Sequence, residues 1–293
     1  VCSTYILLQA FERLGSDVDF EIPDRIKDGY GINESIIEQA HADGVEVILT
    51  CDNGISAFHQ VELAKKYGMT VVITDHHEVP LDGEKEKIPP ADAVIDPKQA
   101  DCPYPFPEIC GAVVAYKLVQ VLYARRGVPQ MEWLDLLEFA AIATVGDVMK
   151  LQDENRILVK YGLKKMAQTK NLGLRRLAEK NNLDLGAITA YHIGFVIGPC
   201  LNAGGRLKTA KEALALLRAQ SEEEAERLAE ELKELNDTRK DMTEQGTEAA
   251  KLQVESWYQK DKVLVVFLPE CHESLAGIIA GRLREYYQKP AIV

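Results

Sequence analysis

The 293-residue chain has no cysteine pair at CxxC spacing, no signal-peptide pattern at its start and no excess of positive charge. It also has no apolar run near the roughly 20 residues that span a bilayer. Each absence removes a class of protein. The six cysteines (Cys2, Cys51, Cys102, Cys110, Cys200, Cys271) are scattered, which reads as reduced, mostly buried thiols rather than a disulfide scaffold. Cys102 and Cys110 flank a proline-rich loop but lack a second ligand pair at zinc-site spacing. With neither span nor leader, the expected place is the cytoplasm, away from membranes. A net charge of −12 argues against a simple nucleic-acid-binding module, for which a basic domain is expected. It leaves room for an enzyme that grips phosphates locally, because the acid is unevenly spread. Much of it lies in Ser221-Glu222-Glu223-Glu224-Ala225-Glu226 and the segment that follows.

What is present is an ordinary globular composition, 46% apolar and 27% charged, with length enough for two domains. Residues 1–14 have helical apolar spacing, Gly15 stops them, and residues 17–22 alternate as a strand does. A helix over about 34–43, a strand over 45–51, a helix over about 56–67, a strand over 69–74 and a short strand over 92–96 follow. Such alternation predicts a parallel sheet joined by right-handed crossovers. Beyond the proline-rich loop 97–107 the pattern turns helical, over 111–126, 133–148, 154–168, 172–181, 187–196 and 208–217. A charged segment from 222 to about 259 lacks proline, is interrupted only by Gly246, and carries one narrow stripe of Leu228, Leu232 and Leu235. It reads as a connecting helix, the other reading being a solvated surface helix. A strand (263–267), a helix (275–287) and the start of another strand (291–293) come last. The predicted class is therefore α/β in three parts. Residues 1–220 form a first domain with its sheet in about 1–110 and its helices in about 111–220. Residues 221–260 connect it to a smaller α/β domain, of which 261–293 is the first part. A domain does not normally end on the first residues of a strand, so a fragment is expected.

The chemistry gathers at strand ends. Asp75-His76-His77 closes the run Met69-Thr70-Val71-Val72-Ile73-Thr74, at the edge where open α/β sheets bind ligands. One carboxylate beside two imidazoles suits Mn²⁺, Fe²⁺ or Zn²⁺ and tolerates Mg²⁺. The same triplet also reads as a helix N-cap followed by two surface histidines. Asp52 ends the preceding strand at the same edge, with Asn53-Gly54 supplying a tight turn. A plain strand–turn–helix capped by Ser56 fits that stretch as well. Asp147 closes the apolar stretch 139–146, as a cap or as a ligand.

Taken together, Asp52, Asp75-His76-His77 and Asp147 resemble the motifs of the DHH phosphoesterase superfamily. Residues 192–207 (HIGFVIGPCLNAGGRL), 272–282 (HESLAGIIAGR) and 25–33 (RIKDGYGIN) resemble its RecJ exonuclease branch, and the likeness covers essentially the whole chain. The resemblance implies a DHH domain, a long connecting helix and a DHH-associated substrate-binding domain. It implies a metal-dependent 5′-to-3′ exonuclease that hydrolyses phosphodiester bonds of single-stranded DNA in repair and recombination. Asp52 would bridge two Mn²⁺ or Mg²⁺ ions, His76 and Asp147 would ligate one of them, Asp75 would orient a histidine and His77 would face the scissile phosphate. Asn202, Gly205, Arg206, His272, Gly277 and Arg282 would contact substrate. For residues 202–206 a helix-capping turn is the other reading, and for Ala280-Gly281 it is close helix–sheet packing. Cys200 stands where some relatives carry arginine. Single-stranded DNA is the implied partner, a single-strand-binding protein a candidate one, and a monomer is expected.

One departure concerns the start. The family opens with an acidic D-x-D-x-D-G motif, and Val1 stands at about the position after its glycine. The sequence as given is therefore expected to hold at most one metal well and to be impaired. The runner-up is a DHH phosphodiesterase acting on short oligoribonucleotides or cyclic dinucleotides, but residues 276–282 lack the GGGH-type element of those relatives. A catalytically silent scaffold is the third reading, and the retained Asp52, His76, His77 and Asp147 speak against it.

Overall fold

The computed structural model describes residues 1–23 and 31–293, so residues 25–30 of the RIKDGYGIN stretch lie outside the described part. Helix α1 (Cys2–Arg13) buries Tyr5, Ile6, Leu7, Leu8 and Ala10, and Gly15 follows it at φ +77°. Residues 16–23 form no strand, contrary to the alternation. Val18, Phe20 and Ile22 instead pack against the helical core as an irregular segment. Period two there records docking onto one surface.

The next elements follow the expected order. Helix α2 (Glu34–Ala42) is capped by Asn33, whose side chain accepts from Ile36 N at 2.9 Å. Strand β1 (Val47–Cys51), helix α3 (Phe58–Lys66) and strand β2 (Thr70–Thr74) come next. A small unexpected hairpin of β3 (Leu81–Asp82) and β4 (Lys85–Glu86) turns at Gly83, and β5 (Ala93–Ile95) follows. Strands β1, β2 and β5 form one parallel sheet in that order, with Cys51 level with Thr74 and Thr74 level with Ile95. Each strand is followed at once by an aspartate: Asp52, Asp75, Asp96. Ile37, Val61, Ala64, Met69, Val71 and Ile73 close the sheet against α2 and α3.

The helical part is α4 (Gly111–Arg125), α5 (Gln130–Leu134), α6 (Leu137–Gly146), α7 (Asp153–Met166), α8 (Leu172–Lys180), the short α9 (Ala190–His192), α10 (Gly198–Leu207) and α11 (Lys211–Arg218). Two expected boundaries change. The helix expected over 133–148 is split at Asp135-Leu136. That expected over 187–196 becomes a 3₁₀ turn (Leu185–Ala187), then α9, then a π-helical turn (Ile193–Ile197) that runs straight into α10. Residues 202–206 are thus helical, not a loop or capping turn. Pro199 is the second residue of α10, directly after the π-helical turn.

Helix α12 (Glu222–Gln253), about 48 Å long, is capped by Ser221 and belongs to two cores. Leu228, Ala229 and Leu232 pack into the helical core, whereas Ala250 and Val254 pack with Leu264, Leu275, Ile279 and Leu283. The second set belongs to β6 (Leu264–Val265), α13 (Glu273–Tyr287) and β7 (Ala291–Ile292), with β6 and β7 parallel. Gly246 does not break α12. A Cβ there would stand 2.6 Å from Ile279 Cδ1, so the glycine lets α13 come close. Among the described residues no helix is long and apolar enough to cross a membrane.

Candidate metal centre

The parallel register brings the ends of β1 and β2 side by side, and α6 adds a third acid from the helical part. Asp52 adopts φ +62°, a left-handed conformation costing roughly 1–2 kcal/mol outside glycine, and its N–H bonds Thr74 O at 2.9 Å. Beneath it lies Gly111, the first residue of α4. A Cβ on Gly111 would fall 2.7 Å from Asp52 Cα, so only glycine leaves the loop its place. Asp147 ends α6 in a Schellman motif, with Val148 N bonding Val145 O and Met149 N bonding Thr144 O, both at 3.1 Å. Val148 takes the left-handed position at φ +56°, where glycine is usual.

His76 is the hub. Its Nε2 stands 3.0 Å from Asp52 Oδ1 and 3.6 Å from Asp147 Oδ2. Ligand atoms that share one ion at about 2.1 Å stand about 3.0–3.5 Å apart, so His76 and Asp52 have the spacing of a shared divalent cation and Asp147 stands just outside it. The imidazole is buried while both carboxylates are half exposed, leaving the ion an entry path. Donor atoms of Asp52, His76 and His77 all lie within 4.8 Å of one another. That group includes His77, expected to face the phosphate, and does not include Asp147, which stands at its margin 3.6 Å from His76.

Asp75 lies behind the histidines, fully buried. Its Oδ1 accepts His76 N at 2.8 Å and pairs with His77 Nδ1 at 2.6 Å, and its Oδ2 accepts Ile55 N at 2.9 Å. The last bond replaces the expected Ser56 cap: α3 begins after Ala57 with no side-chain cap, and Asp75 holds the turn from twenty residues away. Because His77 Nδ1 is committed to a carboxylate, Nε2 is the nitrogen left for a ligand.

Crowded carboxylates set the electrostatics. Burial opposes charge on His76, yet Asp52, Asp147 and Asp75 together outweigh it and raise its pKa. Burial, aided by Asp52, pushes the Asp147 carboxyl up against the pull of both histidines. A site that raises both groups is short of positive charge, which a divalent cation supplies.

The sequence pattern does not single out Asp96, which the sheet places beside this cluster. It is buried, Oδ1 accepts Lys98 N at 2.9 Å, and Oδ2 has no partner among the described residues. Burial and the charge of Asp75 raise its pKa while His76 and His77 oppose them. The available signal was its place after Ala93-Val94-Ile95, equivalent to that of Asp52 and Asp75.

The expected substrate residues fall in two groups. Asn202 is exposed on α10. Gly205 faces Ala210, and a Cβ on Gly204 would stand 2.8 Å from Thr209 O, so these glycines let the 208–210 turn fold back on the helix. Arg206 Nη1 donates to Ser274 O at 2.9 Å, and Ser274 Oγ donates to Arg206 O at 3.0 Å. His272 Nδ1 meets the same Oγ at 2.8 Å, which makes that nitrogen the donor. The C-terminal end of α10 is thereby tied to the start of α13. Gly277 faces open space, and Arg282 lies further along α13 beside Glu244 and Thr247 of α12. All six cysteines are free.

Comparison with known proteins adds to this geometry. The family model described as DHH family, N-terminal domain, matches residues 1–144. The single-stranded-DNA-specific exonuclease RecJ of Bacillus subtilis (strain 168) is 38% identical over 293 residues, covering 100% of this chain and 36% of that protein. Its namesake in Escherichia coli (strain K12) is 36% identical over 306 residues, covering 99% and 52%. The chain thus spans about half or less of the curated relatives it matches. A crystal structure of exonuclease RecJ bound to manganese superposes with a TM-score of 0.85 at 32% identity, over 99% of this chain and 71% of that one. RecJ of Thermus thermophilus in complex with Mn²⁺ gives 0.82 at 30% identity, over 99% and 41%.

Proposed function

This chain belongs to the DHH family, in its RecJ branch, and from that premise we propose that it is a metal-dependent exonuclease that degrades single-stranded DNA from the 5′ end in repair and recombination. The observation that carries the reading is His76 Nε2 between Asp52 and Asp147 at 3.0 and 3.6 Å, in a chain whose solved relatives hold manganese. Asp52, His76 and Asp147 would hold Mn²⁺ or Mg²⁺. Bound there, the cation supplies Lewis acidity, activating water and neutralising charge on phosphoryl oxygens.

The side chains do the rest. Asp75 accepts a hydrogen bond from His77 Nδ1, so the exposed Nε2 edge is the one turned towards substrate, where it exchanges a proton or a hydrogen bond with a phosphate oxygen. The left-handed loop at Asp52 and the Schellman end at Asp147 hold two carboxylates on opposite elements, which resists their repulsion without a flexible hinge. Arg206, tied to Ser274, and His272 line the junction of α10 and α13 and would contact the nucleotide. Asn202, Gly205, Gly277 and Arg282 complete the substrate contacts. Partner and place follow from the same reading: single-stranded DNA, a single-strand-binding protein that hands it over, a monomer, the cytoplasm.

The test is a competition among substrates. The full protein with Mn²⁺ is given 5′-labelled single-stranded DNA, duplex DNA and a dinucleotide. Preference for the single strand is expected. Preference for the dinucleotide would overturn the exonuclease reading in favour of a small-substrate phosphodiesterase.

A further inference from the structure

A strongly acidic chain that binds a polyanion needs affinity that does not come from positive charge. The helical run 190–207 offers one source. Its exposed positions are Tyr191, Phe195 and Asn202, and the first two lie together on one side of the run. None is charged, in a chain of which 27% is charged. Tyr191 and Phe195 stack on each other with centroids 4.7 Å apart and planes 25° from parallel, yet each remains about two-thirds exposed. Such a pair presents aromatic faces to solvent with its rotamers already fixed by the stack.

Its position links both halves of the proposed site. At one end, a Cβ on Gly194 would stand 3.5 Å from Val145 Cγ1, two residues before Asp147. Val148, on the other side of Asp147, is the most exposed large apolar residue described, at 87%. At the other end the run reaches Arg206 and its bond to Ser274. The aromatic pair therefore lies on a run that packs near Asp147 at one end and reaches the second domain at the other.

We propose that Tyr191 and Phe195 form a shelf on which bases of the substrate strand stack beyond the scissile bond. The proposal rests on the single-strand reading above and adds to it how the strand is held. Stacking tolerates any base, since every base has a π-face, and neighbouring carboxylates do not oppose it. Asn202, exposed further along the run, offers an amide to the backbone or a base edge. Affinity gained here should vary little with salt, unlike affinity from phosphate neutralisation.

The test compares the manganese-loaded wild type with a Tyr191→Ala/Phe195→Ala variant on 5′-phosphorylated dT20 and on the dinucleotide pdTpdT. Both side chains are exposed, so the fold should survive, and a Tyr191→Phe/Phe195→Trp variant retains the ring faces. The alanine variant should raise KM for dT20 by about 5- to 150-fold for each base stacked. It should leave kcat on pdTpdT unchanged and show the same relative loss at low and high salt. The aromatic variant should behave as wild type. Single abasic positions in dT20 should reproduce the loss in the wild type and add nothing in the alanine variant. An unchanged KM for dT20, or equal losses on both substrates, overturns the shelf. If the wild type hydrolyses neither substrate, the nuclease reading fails, and anisotropy of labelled dT20 still decides the shelf. Weaker binding by the alanine variant supports it, and equal binding overturns it.

Discussion

Replacing Asp75 by asparagine exchanges one oxygen for an amide nitrogen without changing the size of the side chain. Asp75 has no oxygen to spare. Oδ2 accepts from Ile55 N at 2.9 Å, while Oδ1 accepts from His76 N at 2.8 Å and from His77 Nδ1 at 2.6 Å. Whichever way the amide turns, its NH₂ meets a buried donor. Turned towards Ile55, it orphans the amide that shapes the Asp52 turn, a loss of about 1–3 kcal/mol. Turned towards the histidines, it drives the proton of His77 onto Nε2 and removes a charge-assisted bond worth about 1.5–3 kcal/mol. Either way Asp75→Asn should destabilise the protein by about 2–4 kcal/mol once weaker bonds re-form. Because Oδ1 also holds the main-chain N of His76, the proposed ligand, its loss should weaken Mn²⁺ binding as well. Free Mn²⁺ measured by electron paramagnetic resonance during titration, with calorimetric melting on the same samples, reads both effects. Unchanged Mn²⁺ affinity together with an unchanged melt would refute the role given to this carboxylate.

Other perturbations probe the supports of the site and the core. Gly111→Ala places a methyl 2.7 Å from Asp52 Cα, so the loop must move. A displacement of about 1 Å at a catalytic centre costs on the order of 100-fold in rate, to be read in kcat with Mn²⁺ saturating; full activity would show that the loop is not held as described. Glu138, buried with Oε1 accepting from Thr169 Oγ1 at 2.6 Å, has its carboxyl pushed by burial from 4.5 up to about 7. The folded state thus holds a proton that the unfolded chain releases above about pH 4.5. Stability should fall as pH rises from about 4.5 to about 7, by about 3 kcal/mol in all. Glu138→Gln keeps an acceptor for Thr169 and removes the titration, so urea midpoints should match the wild type near pH 4.5 and exceed it at about pH 8. Parallel pH curves for the two proteins would contradict this.

Much of the fold and of the candidate site was legible because short apolar runs ended in acids. Residues 47–51 and 70–74 are rich in β-branched side chains, and the aspartate after each could lie only at a sheet edge. Asp147 stood out by closing an apolar helix. Asp96 escaped because its strand is three residues long and carries an acid at both ends, so neither end looked special. Glycines and a proline disguised the run 190–207. The helix expected over 187–196 stopped short of Gly198-Pro199, but a π-helical turn over 193–197 leads straight into α10, which those two residues open. The alternation at 17–22 misled for the opposite reason, since a segment laid on a helical core shows the same period as a strand. The cap that Asp75 gives Ile55 was beyond reach, because it depends on strand register rather than on neighbours in sequence.

The most direct test of the account measures Mn²⁺ binding and nucleotide release from 5′-labelled single-stranded DNA on the same samples of wild type, Asp52→Asn and His76→Ala. The wild type should bind Mn²⁺ and shorten the strand from its 5′ end, and both variants should lose affinity and turnover together. Variants that keep Mn²⁺ affinity and turnover, or a wild type that binds Mn²⁺ without cutting the strand, would contradict it.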